Sequence, residues 1–219
     1  MKEHLLVIMP HPDDETFAVG GTIALYARRG VPVTYVCGTR GEMGRNMGRP
    51  PFATRESLPG LREKELREAC RILGITDLRF LGLWDKTVEF EDPDALAARL
   101  RAIIEEIRPS LILTYHPEYS VHPDHMALGR ATVRAVAQLP PAERPPVHTR
   151  AFGKASAVLG EPDLEVDVRP VWDIKLAAIR AHRSQSQLML SRAEGDPEQQ
   201  ERMRRDREIE RFFVWKFDD

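Results

Sequence analysis

The sequence predicts an α/β fold in which a mostly parallel sheet lies between two layers of helices. Apolar runs of strand length alternate with longer stretches of helical periodicity along most of the chain. Two of these runs, residues 5–9 and 111–115, are almost continuously apolar, as is typical of strands buried on both faces. A strand that is followed by a helix and then by another strand favours parallel pairing, because the chain must cross over the sheet to begin again.

Periodicity and helix-ending residues define the individual elements in order. Gly30 and Gly74 are placed to end two helices, and Pro109 stops a third. The predicted strands span residues 5–9, 31–37, 78–81, 110–115, 149–152 and 164–168. The predicted helices span residues 17–29, 61–73, 94–107, 123–138, 171–182 and 197–211. A glycine- and proline-rich loop over residues 38–60 and an aromatic tail over residues 212–217 complete the chain.

Length and composition indicate one ordinary globular domain. The 219 residues are 42% apolar and 30% charged, and the net charge of −2 does not favour nucleic acid or an anionic membrane as a partner. We expect a single domain over 1–219, with a Rossmann-like βα core in 1–138 that is completed by strands and helices in 139–219. The apolar runs are too short to span a bilayer, and no secretory signal is evident, so we expect a cytoplasmic protein. Cys37 and Cys70 show no metal-binding spacing and are expected to be reduced thiols.

Histidine and carboxylate residues follow two of the predicted strands at the point where each strand ends. His11, Asp13 and Asp14 come directly after the first strand, and a His-Pro-Asp-His segment at 122–125 follows the strand at 110–115. The carboxyl ends of parallel strands are where open α/β sheets place their chemistry. His11, Asp14 and one imidazole of the second segment could hold a metal ion with one position open, as in catalytic zinc sites.

Two further carboxylates lie beside these candidate ligands. Asp13 is placed to act as a general base on water, and Asp124 could hydrogen-bond an imidazole and fix its tautomer. A structural interpretation is also open for each motif alone. Asp13 or Asp14 could be a helix N-cap, and His122 and His125 could be surface residues of a first helical turn. The occurrence of both motifs after parallel strands favours the metal site.

The two motifs together resemble the LmbE-like (PIG-L) zinc N-deacetylases, which act on N-acetylglucosamine derivatives. Further segments that fit the family pattern occur along most of the chain: Thr39–Glu42, Arg62 with Glu65, Leu81–Asp85, Asp167, Lys175 and Ala181–Gln185. The stretch Gly41–Gly48, with Asp85–Thr87, is most similar to the bacillithiol-pathway branch, whose members deacetylate N-acetylglucosaminyl-malate. The resemblance implies an LmbE-like fold of the Rossmann-like, three-layer type.

The resemblance also implies roles for individual residues, position by position. His11, Asp14 and His125 would bind one Zn²⁺ per subunit, and Asp13 would be the general base. His122 would stabilise the oxyanion or protonate the leaving amine. Asp124 would orient His122, and Glu42 and Arg62 would be substrate-pocket residues. Arg45, Tyr119 and His182 are further candidates for the pocket, and His182 could instead be a capped histidine at a helix end.

One position departs from the pattern of some relatives, which carry a tyrosine two residues before the first histidine of the second motif. Ser120 occupies that position here and Tyr119 lies one residue away. Either Tyr119 substitutes for the missing tyrosine, or the metal and His122 stabilise the oxyanion alone. For the malate carboxylates, arginines of the 38–60 loop are the natural partners, namely Arg40, Arg45, Arg49 and Arg55.

The expected reaction is therefore metal-assisted hydrolysis of an N-acetyl group on a small amino-sugar substrate. Other substrates within the superfamily, such as chito-oligosaccharides or thiol conjugates, use the same metal motif. Another metal-dependent hydrolase and a metal- or sugar-binding protein without turnover are the alternatives from other classes. Fe²⁺, Co²⁺ or Ni²⁺ could occupy the same ligands, and relatives lead us to expect a homo-oligomer.

Overall fold

The computed structural model describes residues 3–217, and within that range seven strands form one sheet. The strands are β1 (Leu5–Met9), β2 (Val33–Cys37), β3 (Asp77–Phe80), β4 (Leu111–Ser120), β5 (Val147–Phe152), β6 (Leu164–Asp167) and β7 (Ile209–Val214). The α-helices are α1 (Asp14–Arg28), α2 (Leu58–Leu73), α3 (Pro93–Ile107), α4 (Pro123–Ala137), α5 (Trp172–Ala181), α6 (Arg183–Ala193) and α7 (Pro197–Arg205). Short 3₁₀ helices span Val88–Phe90, Pro141–Glu143, Lys154–Leu159 and Arg169–Val171.

The sheet order is β3-β2-β1-β4-β5-β7-β6, and the strands from β3 to β5 are parallel. β7 pairs antiparallel with both β5 and β6, so the chain returns to the sheet edge at its C-terminal end. The mostly parallel α/β fold that the sequence predicts is therefore confirmed.

Helices cover both faces of the sheet, which is why β1 and β2 are buried along their whole length. One core contains Val7 of β1 with apolar side chains of α1, α2 and α5, such as Leu66. The other contains Ile8 of β1 with side chains of α3 and α4, such as Leu128. Successive residues of a strand point to opposite faces, so the uninterrupted apolar sequence of β1 supplies both cores.

The carboxyl ends of β1 to β4 meet at one edge of the sheet because these four strands are parallel. The segments that leave this edge carry the candidate motifs: residues 10–13 after β1, 38–57 after β2, 81–92 after β3 and 121–122 after β4. The fold thus gathers segments that lie more than 100 residues apart in sequence.

Several boundaries differ from the sequence prediction. Helix α1 begins at Asp14 rather than at residue 17, since acidic side chains in a first helical turn interact favourably with the helix dipole. β4 extends to Ser120, and α2 begins at Leu58, which shortens the predicted 38–60 loop. The predicted charged helix over 197–211 ends at Arg205, and β7 follows it.

The C-terminal region contains the largest differences. Helix α6 is absent from the prediction because its polar sequence has no apolar stripe. Phe212, which the prediction placed in an aromatic tail, lies in β7 and is almost fully buried. Both cysteines are free thiols, as expected. Within residues 3–217, no helix combines the length and the apolar character that a membrane span requires.

Candidate metal centre and active site

The turn between β1 and α1 directs two neighbouring aspartates to different partners. Asp13 precedes the helix with a φ of 116°, a conformation that L-residues rarely adopt. Its backbone N–H donates to Glu15 Oε2 at 3.0 Å, and its Oδ2 accepts from Arg62 Nη2 at 3.1 Å. Asp14 is the first residue of α1, and its Oδ2 accepts the backbone N–H of His11 at 2.8 Å. The strained turn therefore separates the two carboxylates.

Three side chains converge on one point beside this turn. His11 Nδ1 lies 3.2 Å from His125 Nε2. Asp14 Oδ2 lies 3.3 Å from His11 Nδ1, and Asp14 Oδ1 lies 3.4 Å from His125 Nε2. These three ligand atoms come from the turn after β1 and from the first turn of α4. Two imidazole nitrogens and one carboxylate oxygen are a donor set that Zn²⁺ accepts with a position left open.

The hydrogen bonds on the far side of each imidazole assign the two tautomers. His125 Nδ1 lies 3.1 Å from the backbone oxygen of Ser120, so the proton belongs on Nδ1. His11 Nε2 lies 3.1 Å from Asp124 Oδ2 and 3.2 Å from Asp85 Oδ1, so the proton of this ring belongs on Nε2. With these tautomers, two nitrogen lone pairs face each other next to the carboxylate of Asp14. A metal ion satisfies all three groups at once, so the residues fit a metal site.

The carboxylates around His11 give the site a strong affinity for positive charge. Burial alone would lower the pKa of His11, but hydrogen bonds to Asp124, Asp14 and Asp85 raise it well above its usual range. Burial alone would raise the pKa of Asp14, but the charge of His125 and the bond to His11 hold it well below its usual range. A cation at the centre takes the place of the proton that the His11 imidazole would otherwise attract.

Asp13 has a different environment from Asp14. Its burial raises its pKa to about 6, although the adjacent Arg62 guanidinium acts in the opposite direction. Arg62 is itself buried, and it also donates to the backbone oxygens of Gly41 and Pro12. Gly41 has a positive φ, and the Arg62 guanidinium occupies the space that a Cβ at this position would need, so no side chain fits there. Arg62 is therefore fixed beside Asp13.

Two residues that support the metal cluster were not assigned a role from the sequence. The Tyr115 hydroxyl donates to Asp14 Oδ1 at 2.7 Å, and its ring stacks on His125 with centroids 3.9 Å apart. Asp85 is 4% exposed, and its second carboxylate oxygen accepts the Met43 N–H at 2.9 Å. Tyr115 ends a predicted strand, and Asp85 lies 71 residues after Asp14 and 37 residues before His122, so spacing gives no signal for them.

A second group of ligand atoms, from His11, Asp85, His122 and Asp124, is also close enough together to be considered as a metal site. Backbone N–H groups bind carboxylates in both groups: Lys86 N–H donates to Asp124, Met43 N–H to Asp85 and His11 N–H to Asp14. The two groups differ at His11, because the second group uses the Nε2 face, which carries the proton. The cluster of His11, Asp14 and His125 is therefore the better metal site.

His122 occupies the N-cap position of α4, and its Nδ1 accepts the backbone N–H of Asp124 at 3.2 Å. Its ring meets that of His11 edge-on, with centroids 4.9 Å apart. Burial lowers the pKa of His122, which favours the neutral imidazole. Because Nδ1 accepts a hydrogen bond, the proton of the neutral ring belongs on Nε2. Asp124, expected to orient His122, directs its carboxylate to His11 and to the Lys86 N–H instead.

A cavity of about 420 Å³ opens next to these residues. All three members of the metal cluster line it, and so do Asp13, His122, Arg45, Arg62 and Lys86. Arg45 and Arg62 thus lie where the sequence predicted substrate-pocket residues. Lys86, which has a φ of 68°, was not assigned a role from the sequence and adds a further cation to the cavity.

Three expected pocket residues do not line this cavity. Glu42 is buried, and its carboxylate accepts the backbone N–H groups of Arg40 and Asp85. The ring of Tyr119 lies against His116, with centroids 5.0 Å apart. The last of the three, His182, is fully buried and bonds Glu15 Oε1 at 2.6 Å. Glu42 and His182 instead support the segments that carry the site, since Glu15 also binds the N–H of Asp13.

The four arginines of the 38–60 loop differ in whether they contact other protein groups or line the cavity. Arg40 pairs with Glu63 at 3.0 Å, and Arg55 donates to the backbone oxygens of Glu42 and Gly44. Arg49 forms backbone hydrogen bonds with the Gln187 side chain and does not line the cavity. Of the four loop arginines, Arg45 alone lines the cavity.

Comparison with known proteins agrees with the fold and with the motifs. The family model "PIG-L: GlcNAc-PI de-N-acetylase" matches residues 6–136. The chain is 56% identical, over 87% of each chain, to a Bacillus cereus protein named "Probable N-acetyl-alpha-D-glucosaminyl L-malate deacetylase 2". It is 52% identical to a Bacillus subtilis protein of the same name, over 89% of this chain and 88% of the other.

A solved structure shows the same architecture. N,N'-diacetylchitobiose deacetylase from Pyrococcus horikoshii matches with a TM-score of 0.75 and 26% identity, over 97% of this chain and 84% of that one. The residues that the family model matches include both histidine motifs, the first directly after β1 and the second at the start of α4. The fold, the candidate metal cluster and these similarities lead to one conclusion: the chain belongs to the PIG-L family.

Proposed function

We propose that this protein is a zinc-dependent N-deacetylase that hydrolyses the acetamide of N-acetylglucosaminyl-malate in bacillithiol biosynthesis. The observation that carries the proposal is the three-donor cluster of His11, Asp14 and His125 with the carboxylate of Asp13 beside it. The names of the Bacillus relatives support the substrate, since they match 87% or more of this chain at 52–56% identity.

His11, Asp14 and His125 would hold one Zn²⁺ per subunit, and the same donors accept Fe²⁺, Co²⁺ or Ni²⁺. When bound, the ion would supply Lewis acidity, which lowers the pKa of water and polarises an acetyl carbonyl. The protein prepares the ligands for this role, since Ser120 and the pair Asp85 and Asp124 each fix one imidazole.

Asp13 would accept the proton of the attacking water. Its carboxylate lines the cavity, and Arg62 holds one of its oxygens. A pKa of about 6 leaves the carboxylate mostly ionised at neutral pH, yet basic enough to take a proton in the transition state. The Asp13 backbone N–H donates to Glu15, which His182 also binds, and these contacts help to hold the turn that carries the carboxylate.

His122 would stabilise the oxyanion that forms at the acetyl carbon, or pass a proton to the leaving amine. The Asp124 N–H at Nδ1 places the proton of the neutral ring on Nε2, so His122 can donate a hydrogen bond without first becoming charged. The position of Tyr119 against His116 supports an oxyanion site without tyrosine. The step that completes the reaction is proton transfer to the amine and release of acetate.

Two cations at the cavity support recognition of the malate carboxylates. Arg45 and Lys86 line the cavity, and no ion pair with either is formed within residues 3–217. Arg62 already forms an ion pair with Asp13, and Arg40 already forms one with Glu63. Arg45 can bind one carboxylate through two parallel N–H donors, and the Lys86 ammonium can bind the other as a point charge.

Kinetics with matched substrates test this proposal. The zinc-loaded protein is assayed for primary-amine release from N-acetylglucosaminyl-malate, from free N-acetylglucosamine and from diacetylchitobiose. We expect kcat/KM to be highest for the malate glycoside, and Lys86→Gln and Arg45→Gln to lower it mainly by raising KM. Equal activity on all three substrates would exclude specificity for malate, and greater activity on diacetylchitobiose would favour a chito-oligosaccharide deacetylase.

The same variants distinguish recognition from catalysis. On free N-acetylglucosamine, which carries no malate, Lys86→Gln and Arg45→Gln should match the wild-type protein. Glu161→Gln, which changes an exposed carboxylate outside the cavity, is the control on both substrates. The cytoplasmic location, the single domain over 1–219 and the homo-oligomeric state stay predictions, and light scattering of the purified protein tests the last of them.

A further inference from the structure

Tyr115, whose ring stacks on His125 of the candidate metal cluster, also lines a second cavity of about 250 Å³. It shares no lining residue with the metal-site cavity. Its walls combine the aromatic rings of Phe17, Tyr115 and Phe152 with charged side chains of β5, α5 and β7. This combination of apolar and charged walls is typical of a site for a small organic ion.

One cation of this cavity is already neutralised. Lys175 Nζ lies 2.6 Å from Glu210 Oε1, and both side chains are 1% exposed. Glu210 also accepts the backbone N–H groups of Gly21 and Thr22 and the hydroxyl of Thr22. The Glu210 carboxylate is therefore saturated with donors.

Arg150 in the same cavity has no such partner. Within residues 3–217, no carboxylate forms an ion pair with its guanidinium, and its solvent-shielded Nε makes no hydrogen bond. Its Nη1 donates to the backbone oxygen of Arg211. The guanidinium lies over the rings of Phe152 and Phe212, at 5.0 and 5.5 Å from their centroids. The residue is partly exposed, but its shielded Nε leaves one donor without a partner, and buried donors are normally hydrogen-bonded.

The other charged residues of the wall do not supply that anion. Asp206 is exposed, and within the described residues it forms no ion pair with the cavity's cations. Arg207 adds positive charge, since its guanidinium donates to the Met203 backbone oxygen and to Met189 Sδ but pairs with no carboxylate in residues 3–217. The cavity wall thus contains three cations, Arg150, Lys175 and Arg207, and two carboxylates, Asp206 and Glu210. The Glu210 carboxylate is already saturated with hydrogen-bond donors.

We propose that this cavity is a binding site for a small carboxylate of about the size of acetate, held by the Arg150 guanidinium. The planar fork of an arginine matches the two oxygens of a carboxylate, and the rings of Phe17 and Phe152 provide apolar contact for a methyl group. If the proposed deacetylation holds, the acetate that it releases is the natural occupant. The occupancy itself does not depend on turnover.

Nuclear magnetic resonance of the zinc-loaded protein with ¹³C-labelled acetate tests the site directly. The titration is made at constant ionic strength, with sodium acetate replacing sodium chloride. We expect saturable binding with nuclear Overhauser effects from the acetate methyl to the rings of Phe17 and Phe152. Acetate on the metal would instead show these effects to His122 or His125, so the two sites are distinguished.

Variants of arginine identify the anchor. Arg150→Gln should weaken the binding seen at Phe152 by about tenfold or more, because it removes charge-assisted hydrogen bonds, and Arg150→Lys should restore part of it. Arg211→Gln is the matched control, since this exposed side chain on β7 pairs with Glu165 outside the cavity.

Three results would overturn the proposal. The first is the absence of nuclear Overhauser effects from the acetate methyl to the aromatic rings of the wild-type protein. The second is unchanged acetate binding in Arg150→Gln, and the third is displacement of labelled acetate by chloride as effectively as by unlabelled acetate. The first of these results is obtained on the wild-type protein, so the test holds even if the Arg150→Gln variant fails to fold. Because no substrate is present, failure here is independent of failure of the proposed deacetylation.

Discussion

Replacement of Asp85 by asparagine tests how the protein orients His11, the proposed metal ligand. The two Asp85 oxygens have separate partners, His11 Nε2 at 3.2 Å and the Met43 N–H at 2.9 Å. Asparagine has the same shape but only one acceptor oxygen, so it cannot serve both donors. The change therefore weakens the support of His11 while it leaves all three metal ligands in place.

The expected size of the effect follows from the second carboxylate at the same nitrogen. Loss of an outer partner of a ligating histidine typically weakens metal binding by about 10–100-fold. Asp124 Oδ2 remains 3.1 Å from His11 Nε2 in the Asp85→Asn variant. We therefore expect about a tenfold rise in the Kd for Zn²⁺, which is about 1.4 kcal/mol. The double variant with Asp124→Asn should approach about 100-fold.

Competition with a chromogenic chelator measures these Kd values without any substrate. Glu89→Gln is the matched control, because Glu89 is an exposed carboxylate in the same 81–92 segment. Circular dichroism and thermal unfolding of the metal-free variants establish that each of them folds. An unchanged Kd in both Asp85→Asn and the double variant would refute the assigned tautomer of His11 and, with it, the choice of metal ligands.

Two further predictions concern the stability of buried ion pairs. Lys175→Met should lower the free energy of unfolding by about 3 kcal/mol. This is the lower end of the cost of breaking a buried ion pair, because Glu210 keeps three other donors. Urea unfolding measures the loss, and a loss below about 1 kcal/mol would contradict the prediction. The stabilisation from the pair of His182 and Glu15 should depend on pH. Burial lowers the pKa of His182, but the charge of Glu15 outweighs burial and raises this pKa above 6.5. The stabilisation is therefore fully present below pH 6.5 and is lost as pH rises through the folded-state pKa. His182→Gln should therefore cost more stability at pH 6 than at pH 9, and equal costs at both pH values would contradict the pairing.

The order of strands and helices could be predicted because β1 and the first half of β4 are apolar enough to identify as buried strands. The C-terminal region was harder to predict. Helix α6 has a polar sequence without an apolar face, and β7 becomes a strand by pairing with β5 and β6, which are distant in sequence. Tertiary pairing therefore decides what local periodicity could not.

The site could be predicted in part for a related reason. His11, Asp14 and His125 stand in short motifs after parallel strands, so topology alone brings them to one edge of the sheet. The support from Asp85 and Tyr115 depends on side-chain directions that spacing does not encode. The contact of Asp124 with His11 rather than His122 likewise depends on the conformation of the first turn of α4.

The most direct test of the proposed function separates metal binding from proton transfer at Asp13. The Asp13→Asn protein is loaded with Zn²⁺, its metal content is measured, and its release of amine from N-acetylglucosaminyl-malate is compared with that of the wild type. We predict one Zn²⁺ per subunit in both proteins and a fall in kcat of about 100-fold or more in the variant, as for loss of a general base. Full activity with bound zinc would contradict the account, because the carboxylate beside the metal cluster would then have no part in the chemistry.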